Sequence, residues 1–304
     1  MEFYGISGTA NKLMQSYLDS RYQRVVLRDN IRHRVTSDWI PMAHGVPQGS
    51  VLGPLMFLIY INDLSAHIRK IANPVHFTDD TSIIITSTDA QEYQTIISQV
   101  TCETLKWCQV NLLTLKLKKT HFLQFQTKNQ NVPKIQLAAS NTIITKVNST
   151  KFLGITIDRS ISWKVQISEL TSKLNKACYA IRAIKPLLSL HVLRTIYFAY
   201  FHSVMTYGII FWGNSHLSSN IFEIQTTALR IITNKSKRES CRLLCNQLQI
   251  LTLPSQYIFS LLIFFVKNKD LFLLNSDIHT INTRNNSNLY MPNTNLTIFQ
   301  KGVL

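Results

Sequence analysis

The chain has 304 residues, 45% of them hydrophobic and 16% charged, a composition too apolar for a disordered protein and long enough for a buried core in about two domains. Its 32 lysines and arginines against 16 aspartates and glutamates give a formal charge of +16, which points to a polyanionic partner, nucleic acid or a membrane surface. Five cysteines (Cys102, Cys108, Cys178, Cys241, Cys245) without a CxxC pair or a histidine at zinc-ligand spacing read as reduced thiols of an intracellular protein and argue against a disulfide scaffold or a zinc site.

In chain order, residues 11–18 and the arginines Arg21, Arg24, Arg28, Arg32 and Arg34 predict a helix end followed by an extended basic segment. The opening residues hold no basic stretch followed by an apolar run, so no signal peptide is expected. His44-Gly45-Val46-Pro47-Gln48-Gly49-Ser50 is a loop by its glycines and proline. Pro54 suits a first helical turn, and Leu55, Phe57, Leu58, Ile61, Leu64 and Ile68 give the next helix apolar faces so broad that it should be largely buried. Val75-His76-Phe77, Thr78-Asp79-Asp80 and the β-branched residues of 82–86 predict a hairpin with two carboxylates at its turn. Thr88 and Gln91 form a capping box for a helix whose apolar positions are Tyr93, Ile96, Ile97, Val100, Thr104, Trp107 and Cys108.

Short strands are expected over 122–125 and 151–155. Beyond them Trp163, Ile167, Leu170, Leu174, Ala177, Ile181 and Ile184 recur at alternating spacings of four and three, an amphipathic helix whose other faces carry Lys164, Lys173, Lys176, Arg182 and Lys185. Two more helices, about 190–207 and 220–234, complete a helical lobe, and the Asn-rich tail after Asn275 is expected to be irregular. Residues 193–213 are long enough to span a bilayer but carry Arg194, His202, Ser203 and Thr206, so a buried helix is the better reading.

Charge divides the chain. Residues 1–44 carry six basic and four acidic side chains, 45–120 six and six, 121–190 ten and two, and 191–304 ten and four. A neutral segment followed by a basic one suits an enzyme that holds a polyanion through metal ions in one place and grips phosphates in another; a solvated lysine-rich surface would give the same count. Adjacent aspartates on a tight hairpin repel unless a cation offsets them. Asp79 and Asp80 therefore suit a metal of the kind that activates a hydroxyl and neutralises a leaving pyrophosphate, although solvated Asp-Asp turns are common.

The motifs taken together resemble a known family. Gly45-Val46-Pro47-Gln48-Gly49-Ser50-Val51-Leu52-Gly53-Pro54, followed by Phe57-Leu58-Ile59-Tyr60-Ile61-Asn62-Asp63-Leu64, closely resembles motif B of the reverse transcriptases of non-LTR retrotransposons, jockey-like LINE elements in particular. Phe77-Thr78-Asp79-Asp80 is similar to their motif C, with Thr78 where alanine is usual. Trp107, Asn111, Leu115, Lys119 and Thr120 fall where motif D has its Trp, Asn and Lys-Thr. Phe152-Leu153-Gly154-Ile155 with Asp158 resembles the primer-grip segment, and Tyr207-Gly208, Trp212-Gly213 and 225–232 the thumb and post-thumb region.

That resemblance implies an α+β fold: a partial palm over 1–157, with motifs B to E and an antiparallel hairpin, a helical thumb-like lobe over 158–235, and a helical post-thumb segment with the irregular tail over 236–304. It implies an RNA-directed DNA polymerase using two Mg²⁺ ions, dNTPs, an RNA template and a DNA primer, working in the nucleus and cytoplasm as a retrotransposon ribonucleoprotein, with no membrane part. Asp79 and Asp80 would be the catalytic, metal-binding carboxylates and Lys119 would sit near the leaving pyrophosphate. Gln48, Gly49, Phe77 and Thr78 would line the substrate pocket, and Phe152, Leu153, Gly154 and Ile155 would hold the primer end. Lys173, Lys176 and Arg182 would grip nucleic acid. Lys119 could equally be one more surface lysine, and Phe152 and Leu153 ordinary core. In the family, the segment resembling Tyr4-Gly5-Ile6 follows motif A, so the expectation is a chain lacking fingers and the motif A aspartate, inactive alone. The alternative is a non-catalytic nucleic-acid-binding remnant or pseudogene product.

Overall fold

The computed structural model describes residues 2–28, 34–47, 49–126, 137–139, 142–236, 238–279, 281 and 284–294. Helices and strands are mixed throughout, and contacts gather the chain into two compact units, residues 1–120 with 133–144 and residues 121–132 with 145–304. The fold is α+β.

The first unit opens with helix α1 (Gly8–Leu18), which buries Met14. A two-stranded antiparallel ribbon follows, in which β1 (Tyr22–Gln23) pairs with β4 (Ile40–Pro41) and β2 (Val26–Arg28) with β3 (Arg34–Thr36). Helix α2 (Leu52–Ile68) turns Ile61, Leu64 and Ile68 onto a small core shared with Phe57, Ala72, Ile83 and Trp107. It is not largely buried as its composition suggested. Among the described residues of this unit it packs chiefly on β5 (Asn73–Phe77) and α3 (Ala90–Val110), and Leu55, Leu58 and Tyr60 stay 43–45% exposed. β5 pairs antiparallel with β6 (Asp80–Ile84).

Helix α3 is capped by Asp89, whose carboxylate accepts the Glu92 N–H at 2.8 Å, while the Ser87 hydroxyl donates to the Glu92 carboxylate at 2.5 Å. The capping pair thus sits one residue beyond Thr88 and Gln91, because a carboxylate is the stronger acceptor at a helix start. Tyr60 donates to the Asn111 carbonyl, and the Glu103 carboxylate takes His67 at 2.8 Å and Lys106 at 2.9 Å, clasping α2 to α3.

In the second unit β7 is shorter than expected, His121–Phe122, because the chain leaves the ladder where Gln124 turns inward to accept the Lys146 ammonium at 2.6 Å. In the first unit strand β8 (Leu137–Ala139) pairs with the start of β9 (Thr142–Lys146), and in the second β7 runs parallel to the end of β9. Residues 151–155 are not one strand. They fold back as β10 (Ser149–Phe152) and β11 (Ile155–Asp158), joined by a two-residue turn.

Helix α4 (Lys164–Ile184) buries Ile167, Leu170, Leu174, Ala177 and Ile181, the apolar stripe read from its sequence. The segment 190–207 is not a uniform helix. It runs as α5 (Leu190–Ile196), a π-helical turn over Tyr197–His202 and α6 (Ser203–Thr206), then breaks at Tyr207-Gly208 before α7 (Ile209–Trp212). Helices α8 (Ser218–Thr233), α9 (Cys241–Leu248) and α10 (Leu253–Lys267) close over Tyr197, Phe201 and Trp212, which are fully buried. Within this core the Gln225 amide donates to the Tyr197 hydroxyl (3.1 Å) and the Leu251 carbonyl (2.9 Å), and its oxygen accepts from Leu253 N–H (2.8 Å).

Among the described residues of the tail, α11 (Asn275–Ile278) is one helical turn and Leu274 bridges to Leu289, with turns and bends between. Backbone bonds compensate there for the missing apolar periodicity. Among the described residues no single helix is long and apolar enough to cross a membrane; α9 and α10 pass together by length and composition but are bent by 52°.

Candidate active site and primer-grip hairpin

Phe77 pairs with Asp80, so the turn of the first unit's hairpin consists of Thr78 and Asp79. Asp79 is in the turn and Asp80 already opens β6; one carboxylate, not two, sits at the tip. Thr78 has φ +51, a left-handed conformation that a β-branched residue rarely adopts. Its hydroxyl offsets part of that strain by donating to the Phe77 carbonyl at 2.7 Å and to Asp79 Oδ1 at 3.0 Å. Both aspartates are exposed, and no described lysine or arginine forms an ion pair with either. Beside them Phe77 is 55% exposed.

One residue upstream, His76 Nδ1 meets the Thr81 hydroxyl at 2.9 Å across the strands while its Nε2 is buried without a partner. Burial, and then the nearby Arg69 charge, push its pKa below the ordinary value, favouring the neutral ring.

The glycine-rich loop before α2 is organised by Ser50. Its hydroxyl donates to the Pro47 carbonyl at 2.8 Å, accepts from Gly53 N–H at 3.1 Å, and meets the Tyr17 hydroxyl at 2.6 Å. A Cβ on Gly53 would lie 2.9 Å from that hydroxyl and 3.3 Å from Val46, so a side chain at position 53 would displace the Ser50 hydroxyl from this arrangement. Gly49 has φ +81 and open space around it; Gln48 lies outside the described residues. Lys119 is exposed on a single 3-10 turn with Lys118, and no described residue bonds its ammonium.

The other group of expected site residues forms a cluster in the second unit. Leu153 (φ +47) and Gly154 (φ +83) both take left-handed conformations between Phe152 and Ile155, the pattern of a type I′ hairpin turn. The Tyr207 hydroxyl donates to the Leu153 carbonyl, and a Cβ on Gly154 would stand 3.3 Å from the Tyr207 ring. At Gly208 (φ +63) a Cβ would come within 2.3 Å of Ile155 Cδ1. Two motifs more than 50 residues apart therefore lock together, the helix break seating the hairpin tip. Beside it lies a cleft of about 360 Å³ lined by Gly154, Gln166, Glu169, Lys173, Ser203 and Tyr207.

Asp158 is buried, and its carboxylate accepts from the Ser160 hydroxyl and N–H, the Ser162 hydroxyl and N–H, and Trp163 N–H at 2.7–3.1 Å. Burial raises its pKa, but those bonds outweigh it and hold the carboxyl below its ordinary value. With its acceptor sites filled, Asp158 anchors the entry to α4 and is not a free ligand. Lys173, Lys176 and Arg182 are exposed, but they do not form one stripe. At about 100° per residue Arg182 lies roughly 180° from Lys173 around the helix, on the flank of Lys164.

Thus Phe77, Thr78, Asp79 and Asp80 share one hairpin, and Phe152–Ile155 share another with Tyr207 and Lys173 nearby. His76 and Tyr17 were not legible as supports, since a lone histidine or tyrosine has no spacing signal and Tyr17 reaches across 33 residues to Ser50.

A family model described as reverse transcriptase (RNA-dependent DNA polymerase) matches residues 6–157. The chain is 25% identical over 245 residues to the "Probable RNA-directed DNA polymerase from transposon BS", 26% over 230 residues to the "Probable RNA-directed DNA polymerase from transposon X-element" and 26% over 213 residues to the "RNA-directed DNA polymerase from mobile element jockey", all of Drosophila melanogaster. These matches cover 76%, 73% and 64% of this chain and 26%, 24% and 22% of the relatives, so the chain spans about a quarter of their length. No solved structure matches it significantly. With half the chain matched by the family model, and with jockey, BS and X-element polymerases as relatives along its length, the chain belongs to the reverse transcriptase family.

Proposed function

We propose that the chain is the palm-and-thumb portion of a non-LTR retrotransposon reverse transcriptase. Residues 1–157 would contribute palm, 158–235 a thumb-like lobe and 236–304 a post-thumb segment, a division of function and not of compact units. The observation that carries the reading is the Asp79–Asp80 pair on an exposed hairpin inside the matched region. Its substrates would be dNTPs, an RNA template and a DNA primer, and its setting an intracellular ribonucleoprotein of nucleus and cytoplasm.

The donor set suits Mg²⁺. Asp79 and Asp80 are hard oxygen donors, exposed and unpaired by any cation among the described residues. Those residues contain no group of three or more His, Cys, Asp or Glu side chains that could hold an ion, and Mg²⁺ typically takes one or two carboxylates and fills its shell with water and substrate phosphates. Bound there, the metal would lower the pKa of the primer hydroxyl and neutralise the leaving pyrophosphate. The chain's own contribution is positional. Thr78 fixes the tip and orients Asp79 Oδ1, Gly49 and Gln48 would shape the pocket for base and dNTP, and Lys119 would meet the pyrophosphate. The Phe152–Ile155 hairpin, seated by Tyr207, would hold the primer end.

Two bridged ions need more shared carboxylates than one hairpin supplies. The expected outcome is no primer extension by the 304-residue chain with Mg²⁺, primed RNA and dNTPs, and extension when a segment carrying fingers and a motif A strand is added. Asp79→Asn should abolish that restored activity, because metal electrostatics dominate phosphoryl transfer. Restored extension that survives Asp79→Asn overturns the assignment. The shortfall of shared carboxylates on one hairpin also favours a second reading, a nucleic-acid-binding remnant without catalysis; nucleic-acid binding with no extension in any reconstitution would establish it.

A further inference from the structure

The ribbon of β1 to β4 has no part in the chemistry above. Its ladders pair Tyr22 with Pro41, Gln23 with Ile40, Val26 with Thr36, Leu27 with Val35 and Arg28 with Arg34. Side chains alternate along a strand and directly paired residues share a face, so Tyr22, Arg24, Val26 and Arg28 lie on one face with Arg34 and Thr36. The register slips by one residue between the two ladders, as at a bulge. Trp39 consequently joins that face, its ring centroid 4.5 Å from the Arg24 guanidinium carbon.

Everything on this face is open to solvent, with Tyr22 60% and Trp39 58% exposed. Arg28 and Arg34 stand directly opposite each other, which costs stability, and no described carboxylate forms an ion pair with them or with Arg24. Two exposed aromatic rings interleaved with three guanidiniums that no described carboxylate pairs match a polymer that alternates flat π faces with phosphates. A duplex hides those faces within its stack, whereas a single strand offers them.

We propose that the face formed by Tyr22, Arg24, Arg28, Arg34 and Trp39 binds single-stranded RNA, with bases stacked on Trp39 and Tyr22 and phosphates held by the three arginines. The choice of RNA rests on the reading of the chain as part of an RNA-copying enzyme; the choice of a single strand rests on the ribbon alone.

The test is fluorescence anisotropy of a labelled 12-nucleotide oligo(rU) with the whole 304-residue chain over a range of salt, beside oligo(dT) of that length, a 12-base-pair duplex and anionic phospholipid vesicles. The RNA should bind tightest. Trp39→Ala should weaken it about 5- to 100-fold while leaving the salt slope unchanged. Replacing Arg24, Arg28 and Arg34 by alanine should flatten the log–log salt slope by about 2. Oligo(rU) should quench tryptophan emission in the parent and not in Trp39→Phe. Because these side chains are exposed, no variant should melt below the parent, and the arginine variant, relieved of the facing Arg28 and Arg34 charges, should melt at or slightly above it.

Nucleic-acid binding that is indifferent to all these substitutions overturns the ribbon site and leaves the polymerase reading standing. No binding to any nucleic acid removes both. Equal loss for duplex and single strand in Trp39→Ala overturns the stacking platform. Equal affinity for oligo(dT) overturns the assignment to RNA, and vesicles bound through Trp39 in preference to RNA replace it with a membrane surface.

Discussion

Asp158 shows how far a residue's role depends on what surrounds it. By type and position it could pass for a spare metal ligand, yet its oxygens accept from Ser160, Ser162 and Trp163. Its folded-state pKa is lowered, so its stabilising charge is fully present above the ordinary carboxylate range and lost as pH falls through the folded value. Asp158→Ala should cost about 2–3 kcal/mol, read as a lower urea midpoint at unchanged slope, since the backbone donors it serves lose their partner. An unchanged midpoint would show that water replaces it. His202 works from the other side. Burial lowers its pKa from 6.5, with the Gln256 contact opposing. The unfolded chain thus binds the proton more readily, so stability holds above about pH 6.5 and declines as pH drops through the window below it. A melting-temperature profile from pH 7.5 to 5 should be flatter in His202→Gln than in the parent.

At the scale of elements, the two hairpins carry opposite risks. The β5–β6 sheet has two strands and no further ladder among the described residues, with Val75 and Ile84 exposed beside Phe77. Such an edge invites pairing between molecules. Light scattering at micromolar protein should fall in a Val75→Thr, Ile84→Thr double variant if that edge drives association. The β10–β11 hairpin is guarded instead by Tyr207. Tyr207→Phe should cost about 1 kcal/mol, and Gly208→Ala more, because its Cβ must displace Ile155 from a left-handed backbone. Much of this was readable: the period of α4, the hairpin at Asp79, and the loop before α2 all follow from local spacing. What escaped reading depends on long-range partners. The Phe152–Ile155 turn looked like a strand because Phe, Leu and Ile favour one, and only the Tyr207 contact and Gly154 tip it into a turn. The competition between Thr88 and Asp89 for the helix cap was settled by acceptor strength, which spacing does not encode.

For the whole molecule, the two units differ in depth of core. The first buries a cluster around Ile61, Leu64 and Ile68, while the second encloses three fully buried aromatic rings. Native-state hydrogen exchange should therefore release α2 and α3 amides before those of α4 and α8. The formal charge of +16 predicts binding to an RNA–DNA hybrid that weakens log-linearly with salt. Neutralising Lys173 and Lys176 together should reduce that slope by about 2 if both touch phosphate, whereas Arg182, on the opposite flank of α4, should act independently of them. Charge along the sequence announced the basic helix correctly but not its division into two flanks, since counting residues ignores the angle at which each one leaves the axis.

The π-helical turn at Tyr197–His202 has a consequence of another kind. Such a turn is a helix that has accommodated one extra residue, and its wider coil absorbs the surplus so that the flanking helices keep their phase. Winding this segment as a regular α-helix with every residue kept would improve its hydrogen bonds and would still harm the protein. The upstream flank would swing by about 100° relative to the downstream one, withdrawing Leu193 from the core and pulling Arg194 away from the Leu248 carbonyl it caps at 2.6 Å. The imperfection acts as a phase correction: it lets a single run of chain present Leu193 and Met205 to the same interior.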